Sequence, residues 1–333
     1  MKLNEIDRKI LYELDSDSRQ KLSVISKKLK LSEQRIKYRL DRLIDNGIIS
    51  QFISFIDITK LGYFPFRLYV QYNNVGPSKE KEIRDYLMNH PNIQWFGSLS
   101  GSWDIEIVLF AKNFFHYRMM MDDIMGRYGD HIRKRALSVA INNYYFKRRY
   151  LKPTDVTSTF KGIGIYGGEP DTYSIDDKDI LILESLAKDA RISLVDLADN
   201  IEATPNGVKD RVRRLKEKGI LQEHTIVLDT DKIEYEFYKV LINLRNFNKE
   251  IESRIVSFCD KFPNIWFFII CDGEWNVEFE LEVRENADMR KILMEFRNEF
   301  QDLVLNYTTL LVYQINKMSY FPAHIKKQSA KSN

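Results

Sequence analysis

The sequence predicts an α+β fold in which a three-helix, winged helix-turn-helix domain and a ferredoxin-like βαββαβ domain follow each other twice. Three observations lead to this prediction. The 333 residues exceed one usual domain, so more than one core is expected. The chain repeats itself at an offset of 172 positions. Within each copy, the apolar spacing changes from helical to alternating.

The internal repeat keeps one register through most of the chain. Nine identical pairs mark it: Asp7 and Asp179, Arg19 and Arg191, Arg39 and Arg211, Gly47 and Gly219, Asp57 and Asp229, Tyr63 and Tyr235, Pro91 and Pro263, Gly101 and Gly273, Trp103 and Trp275. A period this long indicates a duplicated multi-domain unit, because solenoid repeats are several times shorter.

The repeat and the local composition predict the domain boundaries. The predicted segments are a helix-turn-helix domain at 1–50, a ferredoxin-like domain at 51–150, a linker at 151–172, a second helix-turn-helix domain at 173–222, a second ferredoxin-like domain at 223–322 and a basic tail at 323–333. The linker contains four glycines, two prolines and no apolar periodicity, which is typical of a flexible coil.

Three features predict each helix-turn-helix domain: the capping residues where helices begin, the glycine where the third helix ends, and the apolar residues that face inward. Asn4 and Asp176 suit the N-cap of a first helix, with an aspartate three places later as in a capping box. A third helix begins at Ser32 or Thr204 and ends at a glycine. The inward stripe of this third helix is Ile36, Leu40 and Leu43 in unit one and Val208, Val212 and Leu215 in unit two.

Beyond the glycines, the order strand, helix, strand, strand, helix, strand predicts a ferredoxin-like sandwich. Its strands in unit one are "FRLYVQY", "IQWFGSL", "WDIEIVLF" and residues 132–141. Its strands in unit two are "FYKVLIN", "IWFFIIC", "WNVEFELEV" and "LVLNYTTLLVY". We expect the two sheets to pack face to face and to bury "FRLYV" and "YKVLI".

Composition excludes several classes of protein. The net charge of +3 neither requires nor excludes a polyanionic partner. Cys259 and Cys271 have no metal-type spacing and form no disulfide framework, so a reducing, cytoplasmic location is expected. No apolar run is long enough to cross a membrane, and the first residues lack the core of a signal peptide. The sequence predicts no metal site, no cofactor and no catalytic residue.

The order and spacing of several stretches resemble the Lrp/AsnC family of transcriptional regulators, whose subunit is a helix-turn-helix followed by a ligand-sensing RAM domain. The matching stretches are "DRKILYELDSDSR", "LSEQRIKYRLDRLIDNGII", "IDITKLGY" and "GSWDIEIVLF". Family members usually carry one such unit and dimerise, so the tandem arrangement departs from the pattern. The resemblance implies a sequence-specific regulator of double-stranded DNA, with a pseudo-dimer inside one chain and further homo-oligomers as an option.

The outward faces of the two third helices are the predicted DNA contacts. The candidates are Ser32, Gln34, Arg35, Lys37, Tyr38 and Arg42 in unit one and Asn206, Lys209, Asp210, Arg213 and Arg214 in unit two. Amide side chains can pair with base edges in the major groove, while Arg and Lys reach phosphates. Because Asp210 stands where unit one has Tyr38, unit two is expected either to bind more weakly or to accept a cytosine donor.

A solvated helix face is the alternative interpretation of these charges. Residues 204–218 hold six basic and two acidic side chains while 173–203 is acidic, and this segregation favours a phosphate-facing edge. Arg39 and Arg211 lie nearer the apolar stripe, so we assign them to a structural pair with Asp7 and Asp179 or to a mixed role.

The resemblance also implies an effector pocket, usually for an amino acid, at the turn "SGSWD" and its counterpart "DGEWN". The candidate ligand-binding residues are Ser100, Gly101, Trp103, Asp104, Gly273 and Trp275. Asp104 suits an ammonium group, whereas Asn276 in unit two loses that ion pair, so the second pocket is expected to be weaker. The alternative is a plain β-turn in which Asp104 begins a strand, with the tryptophans in a core or an interface.

Two other functions stay open from the sequence. Siroheme decarboxylases resemble this family and depend on a histidine-bearing stretch at the second strand, but "IQWFGSL" and "IWFFIIC" contain no histidine. The five histidines form no cluster in the sequence. An architectural chromatin protein is the other alternative, which the modest net charge disfavours.

Overall fold

Two three-helix bundles and one β-barrel make up the described part of the chain. The computed structural model describes residues 3–152, 164–169 and 172–322. The predicted basic tail 323–333 lies outside the described residues, as do positions 153–163 and 170–171 of the predicted linker.

Both units have the same order of elements. Unit one contains α1 (Glu5–Ser16), α2 (Leu22–Leu29), α3 (Glu33–Asp45), β1 (Ile49–Ile56), β2 (Phe64–Tyr72), α4 (Pro77–Asn89), β3 (Ile93–Ser100), β4 (Ile105–Ala111), α5 (Phe114–Tyr128) and β5 (Ile132–Tyr145). Strand β6 (Gly164–Gly167) follows, and unit two then contains α6 (Asp177–Lys188), α7 (Leu194–Asn200), α8 (Pro205–Glu217), β7 (Leu221–Leu228), β8 (Glu236–Leu244), α9 (Lys249–Lys261), β9 (Ile265–Gly273), β10 (Val277–Val283), α10 (Asn286–Glu299) and β11 (Val304–Met318). The predicted α+β fold is confirmed.

Local chemistry explains where the helices begin and end. The side chain of Asn4 accepts the backbone N–H of Asp7, and the Asp7 carboxylate accepts the N–H of Asn4, which completes a capping box. Ser32 and Thr204 cap α3 and α8 by accepting the backbone N–H of Arg35 and of Gly207. Both third helices are followed by a glycine with φ of +67°, a conformation that costs glycine little.

The strands of the two ferredoxin-like units join into one closed barrel. The order is β2-β4-β3-β11-β8-β10-β9-β5, and β5 pairs with β2 to close the ring. The expected burial of "FRLYV" and "YKVLI" is confirmed, but the two sheets are also hydrogen-bonded along both edges, which the sequence analysis did not foresee. Closure pairs strand edges that would otherwise stay open.

Two long strands make this closure. The first half of β5 pairs with β2 of its own unit, and the second half pairs with β9 of unit two. Strand β11 likewise pairs first with β8 and then with β3 of unit one. Each unit therefore completes the sheet of the other.

Part of the predicted linker is a strand. Residues Gly164–Gly167 pair antiparallel with Asn142–Tyr145 of β5, so the expectation of a continuous coil at 151–172 is wrong for this stretch. Gly167 has φ of +110°, and a Cβ there would lie 2.2 Å from the carbonyl oxygen of Ile141. Only glycine permits this approach of two backbones.

Each helical bundle packs against a strand of the other unit. Strands β1 and β7 pair with each other. The sequence pattern predicted neither of them. The apolar core of α1–α3 includes Ile226 and Leu228 of β7, while the core of α6–α8 includes Ile56 of β1. Each bundle thus packs partly on the other unit. Within the described ranges, no helix has the length and apolarity needed to cross a membrane.

Candidate nucleic-acid interface and ligand sites

The outward face of α3 presents the side chains that the sequence predicted. Gln34, Arg35 and Lys37 are exposed, whereas the stripe Ile36, Leu40 and Leu43 is buried as predicted. Ser32 is exposed and caps the helix by accepting the N–H of Arg35. The buried apolar stripe therefore anchors α3 in its bundle, and the polar face of the helix is exposed.

An exposed aromatic ring stands in the middle of that face. Tyr38 is 62% exposed, and the Arg42 guanidinium lies 5.9 Å from the centre of its ring. Lys37 forms an ion pair of 2.8 Å with Asp41 one turn on. A large aromatic side chain held outward among cations is suited to contact with a flat or anionic partner.

The outward face of α8 differs in its charge pairing. Asn206 and Lys209 are exposed. Asp210 forms a 3.1 Å ion pair with Arg213, which also lies 3.7 Å from Glu217. The carboxylate that was expected to face a groove therefore already has a cationic partner on its own helix.

Arg214, a predicted phosphate contact, forms an ion pair within its own bundle. Its Nη2 lies 3.0 Å from the buried carboxylate of Asp179, although half of the side chain stays exposed. Asp179 also receives Arg211 at 2.8 Å. A buried carboxylate needs such partners to stay charged, so Arg214 is structural as well as a candidate for DNA contact.

The structural pairs assigned to Arg39 and Arg211 are present. Arg39 lies 2.7 Å from Asp7, and Arg211 lies 2.8 Å from Asp179 and also 2.7 Å from Asp176. These contacts tie the third helix of each bundle to the start of the first helix. Hydrogen bonds to Asp176 and Asp179 raise the pKa of Arg211.

Two further arginines tie the bundles to each other. Nη1 of Arg19 donates to the carbonyl oxygens of Ala190 and Ile192, at 2.5 and 3.0 Å. Nη1 of Arg191 donates in return to the carbonyl oxygen of Ser18 at 2.6 Å. Burial lowers the pKa of both guanidinium groups. The repeat aligned Arg19 with Arg191, but only the fold shows that each crosses to the other unit.

A buried histidine lies beside this junction. His224 is 5% exposed, and its Nδ1 lies 2.8 Å from the hydroxyl of Ser54. Burial, followed by the positive charges of Lys216 and Arg19, lowers its pKa to about 3. The native chain therefore keeps this imidazole neutral at pH values where an unfolded chain would protonate it.

We expect His224→Phe to weaken the acid sensitivity of folding. Between the ordinary pKa of 6.5 and the native value, the unfolded state binds one proton more than the native state, so stability falls as pH falls below 6.5. At pH 5 the wild type loses about 2 kcal/mol through this group. Phe52 occupies the aligned position in unit one, so a phenylalanine suits the site.

Urea unfolding of the wild type and His224→Phe, at about pH 7 and about pH 5, measures the effect. His131→Gln, a change outside the junction, is the control and should keep the wild-type dependence. An unchanged pH dependence in His224→Phe would contradict the assignment.

The predicted effector loops are engaged with the opposite unit. A Cβ on Gly101 would lie 3.1 Å from the carbonyl oxygen of Thr309, and one on Gly273 would lie 2.2 Å from that of Leu137. Both glycines therefore allow a turn to approach a strand of the other unit. Ser100 at the start of the first turn is exposed.

The other predicted ligand residues are directed to structural contacts. The Oδ2 of Asp104 accepts the N–H of Tyr72 at 2.7 Å, and Asn276 repeats this contact with Leu244 at 3.0 Å. This is the β-turn arrangement that the sequence left as the alternative. Trp103 and Trp275 are buried, with ring centres 6.3 and 4.8 Å from that of Tyr69 inside the barrel.

The barrel interior holds a cluster of charges that sequence reasoning missed. Arg67 lies 2.9 Å from Glu106, 2.9 Å from Glu278 and 3.3 Å from Glu280. Lys239, which the repeat aligns with Arg67, lies 2.8 Å from Glu106 and 2.7 Å from Glu280. Burial raises the pKa of Glu106, because it disfavours the charged carboxylate. We call these five residues the barrel cluster.

A second buried network anchors the first bundle to the barrel. Arg148 donates to Asp15 of α1 at 2.7 Å and to both carboxylate oxygens of Glu282, at 2.7 and 3.0 Å. Its guanidinium also lies 4.0 Å from the ring centre of Trp266. The available signal in the sequence was charged residues at the ends of apolar strands.

Comparisons with known proteins agree with the two bundles. A family model of winged helix-turn-helix DNA-binding domains matches residues 3–50 and 175–222. An uncharacterized HTH-type transcriptional regulator of Pyrococcus horikoshii is 30% identical over 113 residues, which are 34% of this chain and 70% of that protein. The chain belongs to the HTH-type transcriptional regulators. In this regulator the unit occurs twice.

Solved structures resemble the regulator at two scales. The crystal structure of the siroheme decarboxylase NirDL covers 99% of this chain and 100% of its own, with 14% identity and a TM-score of 0.59. A structure of an AsnC family transcriptional regulator from Agrobacterium tumefaciens covers 41% of this chain and 90% of its own, with 19% identity and a TM-score of 0.38. The first of these likenesses shows a shared fold over both units.

Proposed function

We propose that this regulator recognises specific DNA sequences as a pseudo-dimer formed within one chain. The reciprocal contact of Arg19 and Arg191 carries the proposal, because each unit gives the other the same kind of bond. The contact links the turns between the first two helices of each bundle. We propose that it keeps α3 and α8 at a fixed spacing, which two half-sites about 34 Å apart, or a multiple of that distance, require.

The side chains proposed to touch DNA are those that stay exposed on the two third helices. Gln34 and Asn206 would pair with base edges, while Arg35 and Lys209 would reach phosphates. The two faces differ most at Tyr38 and its counterpart. We therefore propose that the two helices contact unlike half-sites.

Selection of binding sites from a random DNA pool tests this division of roles. Gln34→Ala is expected to change the preferred sequence, because the paired hydrogen bonds to a base edge are lost. Arg35→Ala is expected to lower the affinity for all sequences and to reduce the salt slope by about 1.

Lys249→Ala is a suitable control, because this lysine is 77% exposed on α9 in the barrel half. It should leave DNA binding unchanged. Equal losses on selected and on random DNA in both test variants would reject the proposal, as would a specificity ratio near one for the wild type.

An amino-acid effector at the turns of Gly101 and Gly273 stays a prediction. The exposed part of the first turn includes Ser100 and Gly101. Asp104 already accepts a backbone N–H from Tyr72, which leaves less of its carboxylate for an ammonium group.

A siroheme decarboxylase is the second candidate, because the fold likeness to NirDL extends over 99% of this chain. We propose instead that the chain is not an enzyme, since neither β3 nor β9 carries the histidine that those enzymes use. An absorbance scan of the purified protein discriminates the two. A bound tetrapyrrole chromophore would favour the enzyme.

A further inference from the structure

A cavity lies between the barrel interior and the apolar core of the second helical bundle, α6–α8. It offers about 80 Å³ to the centres of water-sized molecules. One water needs roughly 10–15 Å³ by this measure, so the space takes roughly five to eight water-sized groups. Ile56, Ile58, Val108 and Phe110 line it and also belong to the apolar core of α6–α8. A molecule in the cavity would therefore touch the support of the second bundle.

The first bundle has a charged anchor whose aligned positions in the other unit are uncharged. Arg148 is bonded to Glu282 and to Asp15. At an offset of 172 positions, the counterparts are Tyr320, Phe110 and Ala187, which cannot form such a network. Tyr320 and Phe110 line the cavity. The second bundle therefore lacks the ion-pair anchor of the first.

Aromatic rings form part of the cavity wall. Trp95, Trp266, Phe267, Tyr166 and Tyr320 contribute rings to the lining. Rings of this kind favour a flat partner, which can stack or meet them edge to face.

Two buried donors on the wall lack a partner. Across residues 3–152, 164–169 and 172–322, Nε1 of Trp266 and Nε of Arg67 have no hydrogen-bond acceptor. Trp266 is 4% exposed and Arg67 is 7% exposed. Such orphaned donors are costly, so the site calls for a molecule that brings an acceptor.

The charged side chains that line the cavity have partners within the protein: Glu280 pairs with Arg67 and Lys239, and Asp57 accepts the N–H groups of Thr59 and Gly167. The barrel cluster has two cations and three carboxyl groups, and burial favours the neutral form of Glu106. A charged ligand would lose its hydration without gaining an unpaired counter-charge. An uncharged ligand avoids that cost.

We propose that this cavity binds an uncharged, flat ring compound bearing a carbonyl or ring-nitrogen acceptor. Binding of this ligand stabilises the packing of the second bundle, α6–α8, on the barrel. The acceptor meets the orphaned donors of Trp266 and Arg67, and the ring lies among the aromatic walls.

Titration of the full chain with nicotinamide, followed by calorimetry, tests the proposal. Nicotinate is the matched probe, since it keeps the ring and carries a charge. We expect nicotinamide to bind saturably with a Kd of about 1 mM or below. Nicotinate should bind at least about tenfold more weakly.

Three variants locate the site. Trp266→Phe keeps a ring but removes the donor, and it should weaken nicotinamide binding by about five- to tenfold. Trp103→Phe removes an indole outside the cavity and should leave the affinity unchanged. Val108→Phe fills the cavity and should abolish binding. If Val108→Phe does not fold, the pair of tryptophan variants still decides.

Hydrogen exchange reports the effect on the second bundle. Nicotinamide should slow exchange in α6–α8 and leave α1–α3 unchanged. No saturable binding in the millimolar range, equal binding of nicotinate, or equal affinities of the two tryptophan variants would overturn the proposal. DNA plays no part in these measurements, so their outcome is separate from that of the proposed DNA binding.

Discussion

Arg148→Ala lowers the free energy of unfolding by about 3–5 kcal/mol, because it leaves buried carboxylates without their cation. The side chains of Arg148, Asp15 and Glu282 are 3%, 0% and 2% exposed. The guanidinium makes bonds of 2.7 Å to Asp15 and of 2.7 and 3.0 Å to Glu282. Urea unfolding measures the loss.

A triple variant separates the cost of unpaired charge from the cost of lost packing. Asp15→Ala, Arg148→Tyr and Glu282→Phe together import the residues that stand at the aligned positions, Ala187, Tyr320 and Phe110. Apolar replacement of a whole buried network is often nearly neutral, so most of the lost stability should return.

The control for Arg148 is an exposed ion pair. Arg213→Ala removes a pair whose two side chains are 69% and 65% exposed, and the change in stability should stay below about 0.5 kcal/mol. If the triple variant were as unstable as Arg148→Ala, unpaired charge would not be the cause of the loss.

Lys239→Met lowers the free energy of unfolding by about 3–5 kcal/mol through the barrel cluster. The lysine side chain is 1% exposed and lies 2.8 Å from Glu106 and 2.7 Å from Glu280. Methionine fills a similar volume, but it removes one of the two cations that face the three carboxyl groups of the barrel cluster. Denaturant unfolding measures the loss.

Two variants serve as comparisons for Lys239. Lys79→Met, at a lysine whose ion pair with Glu82 has side chains 38% and 53% exposed, should change stability by less than about 0.5 kcal/mol. Lys239→Arg imports the residue of the aligned position Arg67 and should recover part of the loss, because the positive charge remains. Equal losses in Lys239→Arg and Lys239→Met would point to packing as the cause.

Elements that depend on near neighbours could be predicted from the sequence. The capping box of Asn4 and Asp7 joins residues three apart, and the stop at Gly47 depends on one backbone conformation. The inward stripe of α3 follows from helical spacing alone. For the same reason, the sequence located the exposed face with Gln34 and Tyr38.

Elements whose partners are distant in the sequence were missed. Among the described residues, strand β1 pairs with β7 of the other unit, and β6 pairs with the end of β5, so neither has an adjacent partner that could reveal it. The role of Arg214 was incomplete, because helical spacing put it on the outward face and its contact with Asp179 depends on how α8 packs against α6.

The sequence by itself determined the doubled helix-turn-helix, the βαββαβ order within each ferredoxin-like domain and the residues that face outward from α3 and α8. Only the tertiary structure decided that the strands close into one barrel, and that Arg67, Glu106 and Lys239 meet inside it. The physical reason is that every residue of β4 and β10 is buried, so the sequence pattern cannot distinguish the side that faces the helices from the side that faces the barrel.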